Sequence, residues 1–177
     1  MPNQNFILRQ ATLRDFEPIY DIFTRVLQAG ETYSYTTEEM TPDRSLAYWM
    51  SAPGTHCMVA EVDGKVAGMA ALRPNRTGRG KHVVNASFIV DEPYRNRGIA
   101  RAFGEAALKL GKQLGYEAMQ FNFVVATNDI AVDLWKSLGF EIIGTLPKGH
   151  HHAQHGLVDV FVMHRFLHDV DADGFTL

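Results

Sequence analysis

Cysteine is almost absent from this chain: Cys57 is the only one in 177 residues. No disulfide can therefore form within the chain, and its cysteine usage does not indicate an oxidising compartment. In the run "HCMVAEV" we expect Cys57 to pack as a small apolar side chain rather than to react. The first ten residues, "MPNQNFILRQ", lack the basic and apolar regions of a signal peptide, so we expect a cytoplasmic protein.

Positive charge is not in excess either, and long apolar stretches are missing. Lysine and arginine together number 17 against 20 aspartates and glutamates, which gives a net charge of -3. A mildly acidic chain is a poor candidate for binding nucleic acid or an anionic membrane surface. No apolar stretch reaches the roughly 18 residues that a membrane-spanning helix requires. With 46% hydrophobic and 21% charged residues, the composition indicates one globular domain with a sizeable core.

Hydrophobic spacing and turn residues predict a mixed α/β sheet with the element order β-α-α-β-β-β-α-β-α-β-β. The first helix is indicated by apolar residues at helical spacing from Phe16 to Leu27, and a polar and aromatic loop, "AGETYSYTTEEMTP", follows it. The pair Asp63-Gly64 lies between two β-rich runs and predicts a hairpin. The strand, helix and strand between residues 83 and 125 should form a right-handed parallel crossover.

The last residues, "DVDADGFTL", copy the first acidic positions of a calcium-binding loop. Such a loop requires a carboxylate at its twelfth position, and this stretch ends at its ninth. We therefore interpret residues 169–177 as a solvated acidic tail that follows a single domain of residues 1–168.

A glycine stands among three arginines where an apolar-periodic helix begins, in "RNRGIARAFGEAALKLG". A helix N-terminus exposes unpaired backbone N–H groups and carries about half a positive charge, which suits an anion. Gly98 would let the anion approach the backbone, and small Ala100 would keep the first turn open. Positive charge would be added by the side chains of Arg95, Arg97 and Arg101. The alternative is a glycine-containing turn with solvated arginines.

The stretch "DEPYRNRGIARAF" resembles a signature of the GCN5-related N-acetyltransferase (GNAT) superfamily, Arg/Gln-x-x-Gly-x-Gly/Ala, which Arg95, Gly98 and Ala100 meet. A second stretch, "NDIAVDLWKSLGFEIIG", is similar to the second signature of that superfamily, with Asn128 and Trp135 in its polar and aromatic positions. Both signatures occur in order with a strand between them, and the similarity runs from about residue 6 to residue 166. The chain is therefore identified as a member of this superfamily.

This resemblance implies a single-domain GNAT fold: a mostly antiparallel sheet of about seven strands, a splayed central parallel pair and about four helices. It also implies acetyl-coenzyme A as co-substrate, direct attack of an amine on the thioester, and no metal. The coenzyme pyrophosphate would lie at the glycine turn and the pantetheine arm along "NASFIV". A backbone N–H near residues 88–90, where a β-bulge is expected, would bind the oxyanion. The coenzyme-binding residues so implied are Phe88, Ile89, Val90, Arg95, Arg97, Gly98, Ile99, Ala100, Arg101 and Asn128.

One departure from the family pattern concerns the leaving thiolate. Many members carry a tyrosine acid at the aromatic position of the second signature, but this chain has Trp135, whose indole N–H is not a useful acid. We expect Trp135 to pack in the core, so that the proton comes from water or another group, or the thiolate leaves without one. Asn128 stands where the family pattern places a residue near the pantetheine or the acyl group, and it is a catalytic candidate.

Two central strands are predicted to carry polar side chains on one face each. In "HVVNASFIV" Asn85 and Ser87 share a face, and in "AMQFNFVVA" Gln120 and Asn122 do so. Such amides would suit a polar cleft for a small substrate. The alternative is that these side chains make their hydrogen bonds to a loop that covers them.

The acceptor is suggested by a narrower resemblance, to the fungal azetidine-2-carboxylate and cis-4-hydroxyproline N-acetyltransferases and related bacterial proteins. It implies transfer to the amine of a small amino acid or analogue, with Asn85 and Asn122 as substrate contacts. In the loop "GETYSY", Glu31 is a candidate general base, directly or through water, and a surface glutamate is the alternative. Tyr33 and Tyr35 of the same loop could form a wall of the acceptor pocket.

Four histidines between residues 150 and 155 raise the question of a metal site. Adjacent side chains diverge, and cysteine or acidic ligands at metal spacing are missing, so we expect a mobile loop and no metal.

Two other functions stay open: a protein or peptide N-terminal acetyltransferase, and a non-catalytic module that binds acyl-coenzyme A. The partner that we expect is a small-molecule amine. A homodimer is compatible with the superfamily, although no stripe of surface residues demands one.

Overall fold

The computed structural model of the protein describes residues 5–177, and its elements follow the predicted order. Within this part of the chain the predicted α/β class is confirmed, with seven strands in one sheet and four α-helices. The elements are β1 (Ile7–Gln10), α1 (Phe16–Ala29), α2 (Pro42–Leu46), β2 (His56–Val62), β3 (Lys65–Pro74), β4 (Val83–Val90), α3 (Ile99–Gln113), β5 (Ala118–Val125), α4 (Asp129–Ser137), β6 (Glu141–His152) and β7 (Gly156–Phe166).

The sheet has the strand order β1-β2-β3-β4-β5-β7-β6, and β4 and β5 are its parallel pair. These two strands pair only at Val83 with Ala118 and at Val84 with Met119, after which they part. The predicted splayed central pair is therefore confirmed. The predicted hairpin between β2 and β3 is also present, and Asp63 (φ 49°) and Gly64 (φ 74°) both have the positive φ that a tight turn of this type requires.

Two apolar cores lie on opposite faces of the sheet because successive side chains of a strand point to opposite sides. On one face α3 and α4 pack against residues such as Val84 and Ala86, and on the other α1 packs against residues such as Ile89. Helix α3 comes close to α4 at Gly104, where a Cβ atom would lie 2.5 Å from Leu138 Cδ1. A side chain at this position would push α4 away from the centre of the sheet.

The predicted bulge at residues 88–90 of β4 is wrong. Strand β4 keeps a regular antiparallel register with β3 throughout, from Val84 opposite Pro74 to Val90 opposite Gly68. The irregularity lies instead on β5, where the register against β7 shifts between Phe121 and Val124. The extra residue turns β5 away while the complete ladder with β3 holds β4 straight, so the gap opens by displacement of β5.

The predicted mobile loop at the histidines is wrong as well. Strand β6 runs through His152 because it pairs with β7, with His150 opposite Val158 and His152 opposite Gly156. Two register shifts, between 142 and 144 and between 146 and 150, let this strand extend to twelve residues. Strand alternation buries His150 and His152, while His151 between them is exposed.

The segment after residue 168 packs against α3 rather than being solvated throughout. Gln113 Nε2 donates hydrogen bonds to the backbone oxygens of Ala172 (3.1 Å) and Phe175 (2.8 Å), and the side chains of Val170 and Phe175 contact the core. The acidic side chains of this segment are exposed. The domain boundary at residue 168 stays a prediction. Across residues 5–177, every helix is too short or too polar to cross a membrane.

Candidate active site

A cleft of about 1160 Å³ opens where β4 and β5 part. Its lining is formed by the loop after α1, the ends of β3 and β4, the start of α3, β5, the start of α4 and the turn after β6. The structure thus brings together nearly all of the residues predicted from the sequence. Those in the lining are Glu31, Tyr33, Tyr35, Asn85, Phe88, Ile89, Val90, Arg95, Gly98, Ile99, Ala100, Arg101, Asn122 and Asn128.

The start of α3 forms one end of the cleft. Gly98 is the N-cap residue, with φ 83° and ψ 0°, a left-handed conformation that favours glycine. The first intrahelical bond runs from Ala102 N–H to Gly98 O, so the amides of residues 99–101 have no partner within the helix. A Cβ atom at Gly98 would meet no atom within 4 Å. This open row of amide donors is suited to an anion.

The three arginines around this turn differ in their surroundings. Arg95 and Arg101 line the cleft, and Arg101 Nη2 donates a hydrogen bond to Ser137 Oγ at 2.8 Å. Arg97 lies outside the lining, with its guanidinium over the ring of Tyr94 at 5.3 Å from the centroid. All three side chains are exposed, and Arg101 is 3.9 Å from Glu105 in a solvent-exposed pair, so the positive charge that they add is diffuse and sensitive to salt.

The backbone of β4 presents alternate residues to the gap. His82 O accepts from Glu117 N–H on the β5 side, whereas Val83 O accepts from Asn75 N–H and Asp91 N–H donates to Ala67 O on the β3 side. Because both polar groups of a residue point to one side of a regular strand, the even-numbered residues face the gap. Of the three predicted residues, Phe88 and Val90 therefore present their N–H groups to the cleft, and Ile89 does not.

Trp135 packs in an aromatic cluster beside this strand. Its ring centroid lies 4.7 Å from that of Phe88, 4.9 Å from that of Phe121 and 6.2 Å from that of Phe140, and 7% of the residue is exposed. It thus has the packing environment that we predicted.

Asn128 is the N-cap residue of α4. Its side-chain oxygen accepts a hydrogen bond from Ala131 N–H at 3.3 Å, so the amide oxygen is used to start the helix. The amide nitrogen is not part of this cap and can serve as a donor at the edge of the cleft.

Polar side chains form a chain of amides across the gap on the face that carries α1. Asn85 Nδ2 donates to Gln120 O (2.8 Å), Gln120 Nε2 donates to Asn122 Oδ1 (2.8 Å), and Asn122 Nδ2 donates to Asn75 Oδ1 (2.6 Å). The alternation predicted for β4 and β5 is therefore present. Asn75 was not among the predicted residues, because it lies in the loop after β3 rather than on a strand.

Ser87 was predicted on this face of β4, but sequence analysis missed the two side chains that contact it, Arg73 and Tyr48. Arg73 Nη1 donates to Tyr48 O (3.0 Å), Arg73 Nη2 donates to Ser87 Oγ (2.7 Å), and the guanidinium lies 3.9 Å from the centroid of the Tyr48 ring. The Tyr48 hydroxyl is 2.8 Å from Ser87 Oγ, and burial raises the pKa of Tyr48. The available signal was an arginine that continues the buried run "KVAGMAAL".

The loop after α1 closes the far end of the cleft. Glu31 Oε1 accepts from Gln154 Nε2 at 2.9 Å, and Ala153 N–H donates to Gly30 O at 3.1 Å, so this loop is tied to the turn after β6. The Tyr33 hydroxyl donates to Phe88 O at 3.3 Å, and burial raises the pKa of Tyr33 well above its usual value. Tyr35 packs edge-on against Tyr48.

The histidines of β6 stand beside this closure. His152 Nδ1 accepts from the backbone N–H groups of Gln154 (3.1 Å) and His155 (3.3 Å), which fixes the ring against this turn. Burial lowers the pKa of His150 and so favours its neutral form. Among the residues that the structure describes, no three His, Cys, Asp or Glu side chains are grouped to hold a metal ion.

Comparison with known proteins agrees with this geometry. The family model described as "Acetyltransferase (GNAT) family" matches residues 16–140. This chain belongs to the GNAT family of acetyltransferases. The superfamily that the two signatures predicted is therefore confirmed, and with it the class of enzyme to which this fold belongs.

Individual proteins are similar over most of the chain. The L-amino acid N-acetyltransferase AaaT of Escherichia coli is 28% identical over 146 residues, which cover 78% of this chain and 85% of that protein. The N-acetyltransferase aca1 of Schizosaccharomyces pombe is 31% identical over 119 residues, but the chain spans only 55% of its length. A solved GCN5-related N-acetyltransferase from Kribbella flavida superposes with a TM-score of 0.87 at 42% identity, covering 92% of this chain and 98% of that one.

Proposed function

We propose that this protein transfers the acetyl group of acetyl-coenzyme A to the amine of a small molecule, an amino acid or an amino-acid analogue. One observation carries the proposal: the open row of amides at the start of α3 and the unpaired edge of β4 face the same cleft. An anion site next to a free strand edge matches a ligand that has a diphosphate at one end and a chain of amides at the other.

The coenzyme would be held mainly by backbone groups. Its diphosphate would accept hydrogen bonds from the amides of residues 99–101, with Arg95 and Arg101 adding positive charge. The amides of its pantetheine arm would pair with the β4 groups of Phe88 and Val90 that face the gap, as an added strand would. Asn128, at the edge of the cleft, has its amide nitrogen free for the same arm.

The reaction then depends mainly on holding the acceptor amine next to the thioester, and it needs no covalent enzyme intermediate. The acceptor nitrogen attacks the thioester carbon, a C–N bond forms, the C–S bond breaks, and the thiolate leaves with the coenzyme. The N–H of Phe88 or Val90 would stabilise the oxyanion because both point into the gap. Glu31, directly or through water, would take the proton that the amine loses, and Trp135 only packs.

A small acceptor fits the closed end of the cleft. The bonds of Glu31 to Gln154 and of Gly30 to Ala153 tie two loops together there, so an extended peptide would have to separate them. The amide chain through Asn85 and Asn122 supplies neutral polar contacts. AaaT, whose name is that of an L-amino acid acetyltransferase, supports this acceptor class. The narrower resemblance to the fungal azetidine-2-carboxylate enzymes stays a prediction.

A thiol-release assay with acetyl-coenzyme A and a panel of amino acids, simple amines and short peptides tests the proposal. We expect release with amino acids and little with peptides, together with a binding isotherm for the coenzyme by calorimetry. Release with peptides alone would indicate an N-terminal acetyltransferase, and coenzyme binding without release would indicate a non-catalytic module. Absence of coenzyme binding by folded protein would overturn the proposal.

A homodimer, which the sequence left open, is also a proposal. Strand β6 is an edge of the sheet, and Ile143, Leu146 and Leu157 are exposed on β6 and β7. A second copy would cover these apolar side chains, as expected where such a patch lies on a sheet edge. If a second copy binds there, sedimentation velocity would show a mass near twice 19.8 kDa. A single 19.8 kDa species would exclude the homodimer.

A further inference from the structure

We infer that Arg73 selects the acceptor, by binding the carboxylate of an α-amino acid whose own amine is then acetylated. The inference rests on the proposed function and adds to it the residue that recognises the substrate. Its starting point is the Arg73 guanidinium, which lines the cleft and, among residues 5–177, hydrogen-bonds only to neutral groups.

The side chain of Arg73 is held in one orientation. Its terminal nitrogens donate to Tyr48 O and to Ser87 Oγ, and its Cζ lies over the Tyr48 ring, 3.9 Å from the centroid. Phe23 stacks on the Tyr48 ring, with the two centroids 5.7 Å apart. The ring that contacts Arg73 is therefore itself packed against the core. A guanidinium fixed in this way loses little further freedom when it binds a planar anion.

The charge of Arg73 is unusual for this chain. Other partly enclosed arginines have carboxylate partners at 2.8 to 3.2 Å: Arg9 pairs with Asp15 and Glu61, and Arg165 pairs with Asp169. For Arg73, no carboxylate of residues 5–177 lies within ion-pair distance, and its Nε–H is buried without a hydrogen-bond partner. A permanently charged group in a partly dry site is stabilised by a counter-charge, and residues 5–177 supply none.

The ligand that supplies this charge should carry a carboxylate rather than the coenzyme phosphates. Arg73 and Ser87 lie on the sheet face that carries α1, together with Asn85, which is opposite Arg73 in the strand register. The anion site at the start of α3 belongs to the other face. The two sites can therefore hold the two substrates at the same time, one on each side of the gap.

The position of Ser87 places the acceptor amine at the reaction centre. Ser87 precedes Phe88, whose N–H faces the gap where the thioester carbonyl would lie, and adjacent strand residues are about 3.3 Å apart along the strand. In an α-amino acid, one carbon separates the carboxylate from the amine. A carboxylate bound to the Arg73 guanidinium beside Ser87 would thus bring the amine next to the thioester, with the side chain directed to Asn85 and Asn122.

A purely structural role for Arg73 predicts something different. If Arg73 only joined Tyr48 to Ser87, its removal would lower stability and the activity on every acceptor alike. If it binds the acceptor carboxylate, its removal affects acceptors that have a carboxylate and leaves the others unchanged. The ratio of activities on two matched acceptors therefore separates the two roles.

The test compares amino acids with their α-carboxamides, which keep the amine and the side chain but lack the negative charge. For the unaltered protein we expect kcat/KM to be about 100-fold higher for the acids, as expected for a hydrogen bond between charged groups. In Arg73→Gln this preference should vanish through a raised KM for the acids, with the carboxamides unaffected. Arg73→Lys should restore part of it, and Arg79→Gln, which removes an exposed charge, should leave it unchanged.

The inference is overturned if the unaltered protein acetylates carboxamides as well as acids, or if Arg73→Gln lowers both equally. Calorimetry with acetyl-coenzyme A on the same samples reports on the proposed function separately. Normal coenzyme binding without a preference for acids would overturn only the role of Arg73. Absence of coenzyme binding would overturn both the role of Arg73 and the proposed function. Should Arg73→Gln fail to fold, the comparison of acids with carboxamides on the unaltered protein decides.

Discussion

The side-chain nitrogen of Asn85 donates a hydrogen bond of 2.8 Å to the backbone oxygen of Gln120, across the point where β4 and β5 separate. The last backbone pair is Val84 with Met119, so this bond takes the place of the next one in the ladder. It ends the paired region and marks the apex of the cleft. Beyond it, the N–H groups of Phe88 and Val90 face the gap, as the proposed reaction requires, while Phe88 O accepts from the Tyr33 hydroxyl.

Gly98→Glu should lower the affinity for acetyl-coenzyme A at least about 100-fold, because the carboxylate would occupy the anion position in front of the α3 amides. Gly115→Glu is the matched control. Gly115 has the same φ of 83° and equally open surroundings, but it lies just past the other end of α3. Calorimetric titration checks both variants, and equal loss of affinity in the two would show that backbone strain or charge alone is responsible.

Asn122→Ala should raise the KM of the acceptor about tenfold and leave the affinity for the coenzyme unchanged. Asn122 lies within the amide chain on the acceptor face, and its bonds are to Gln120 and Asn75 rather than to the start of α3. Steady-state kinetics with varied acceptor measures the effect, and Gln28→Ala on the exposed face of α1 serves as control. An unchanged acceptor KM would remove Asn122 from the substrate contacts.

Trp135→Phe should change kcat by no more than about threefold, since an aromatic ring still fills the cluster with Phe88 and Phe121. Trp135→Ala should lower the free energy of unfolding by about 3–5 kcal/mol because it leaves a cavity. Turnover and urea unfolding measure the two effects. A loss of several orders of magnitude in kcat for a well-folded Trp135→Phe would show that the indole takes part in the chemistry.

Asp15 should make stability depend on pH below about 4. Two hydrogen bonds from Arg9 lower the pKa of this buried carboxyl from 3.8 to about 2. A lowered pKa in the folded state means that the contribution is complete above the unfolded pKa and is lost as pH falls toward 2. It amounts to about 2 kcal/mol. Asp15→Asn should remove this part of the pH dependence of unfolding, and exposed Asp21→Asn should not.

Cys57 should be inert to thiol reagents in the folded protein. Burial raises the pKa of its thiol to about 12, so the thiolate population at pH 8 is about 1000-fold below that of a free cysteine. Mass spectrometry should show slow alkylation under native conditions and rapid alkylation in denaturant. Cys57→Ala should retain turnover, and its loss in a folded protein would contradict transfer without a covalent intermediate.

Much of the architecture could be predicted from local sequence. The Asp63-Gly64 turn and the start of α3 at Gly98 depend on positive φ angles that a few neighbouring residues decide. The shared faces of Asn85 with Ser87 and of Gln120 with Asn122 follow from the period of a strand. Two signatures in order, with a strand between them, indicate the family from the sequence alone.

Other features depend on partners that are distant in the chain. The bulge lies on β5 because β4 has a complete ladder with β3, and β6 includes the histidines because β7 pairs with them. Neither effect is visible in a short stretch of residues.

The sequence by itself determined the kind and order of the elements, because backbone preferences and hydrophobic period act over a few residues. Only the tertiary structure decided that Arg73, 25 residues from Tyr48 and 14 from Ser87, would be enclosed beside neutral groups. The burial of a charge and its lack of a counter-charge depend on everything around it in space, which no local pattern records.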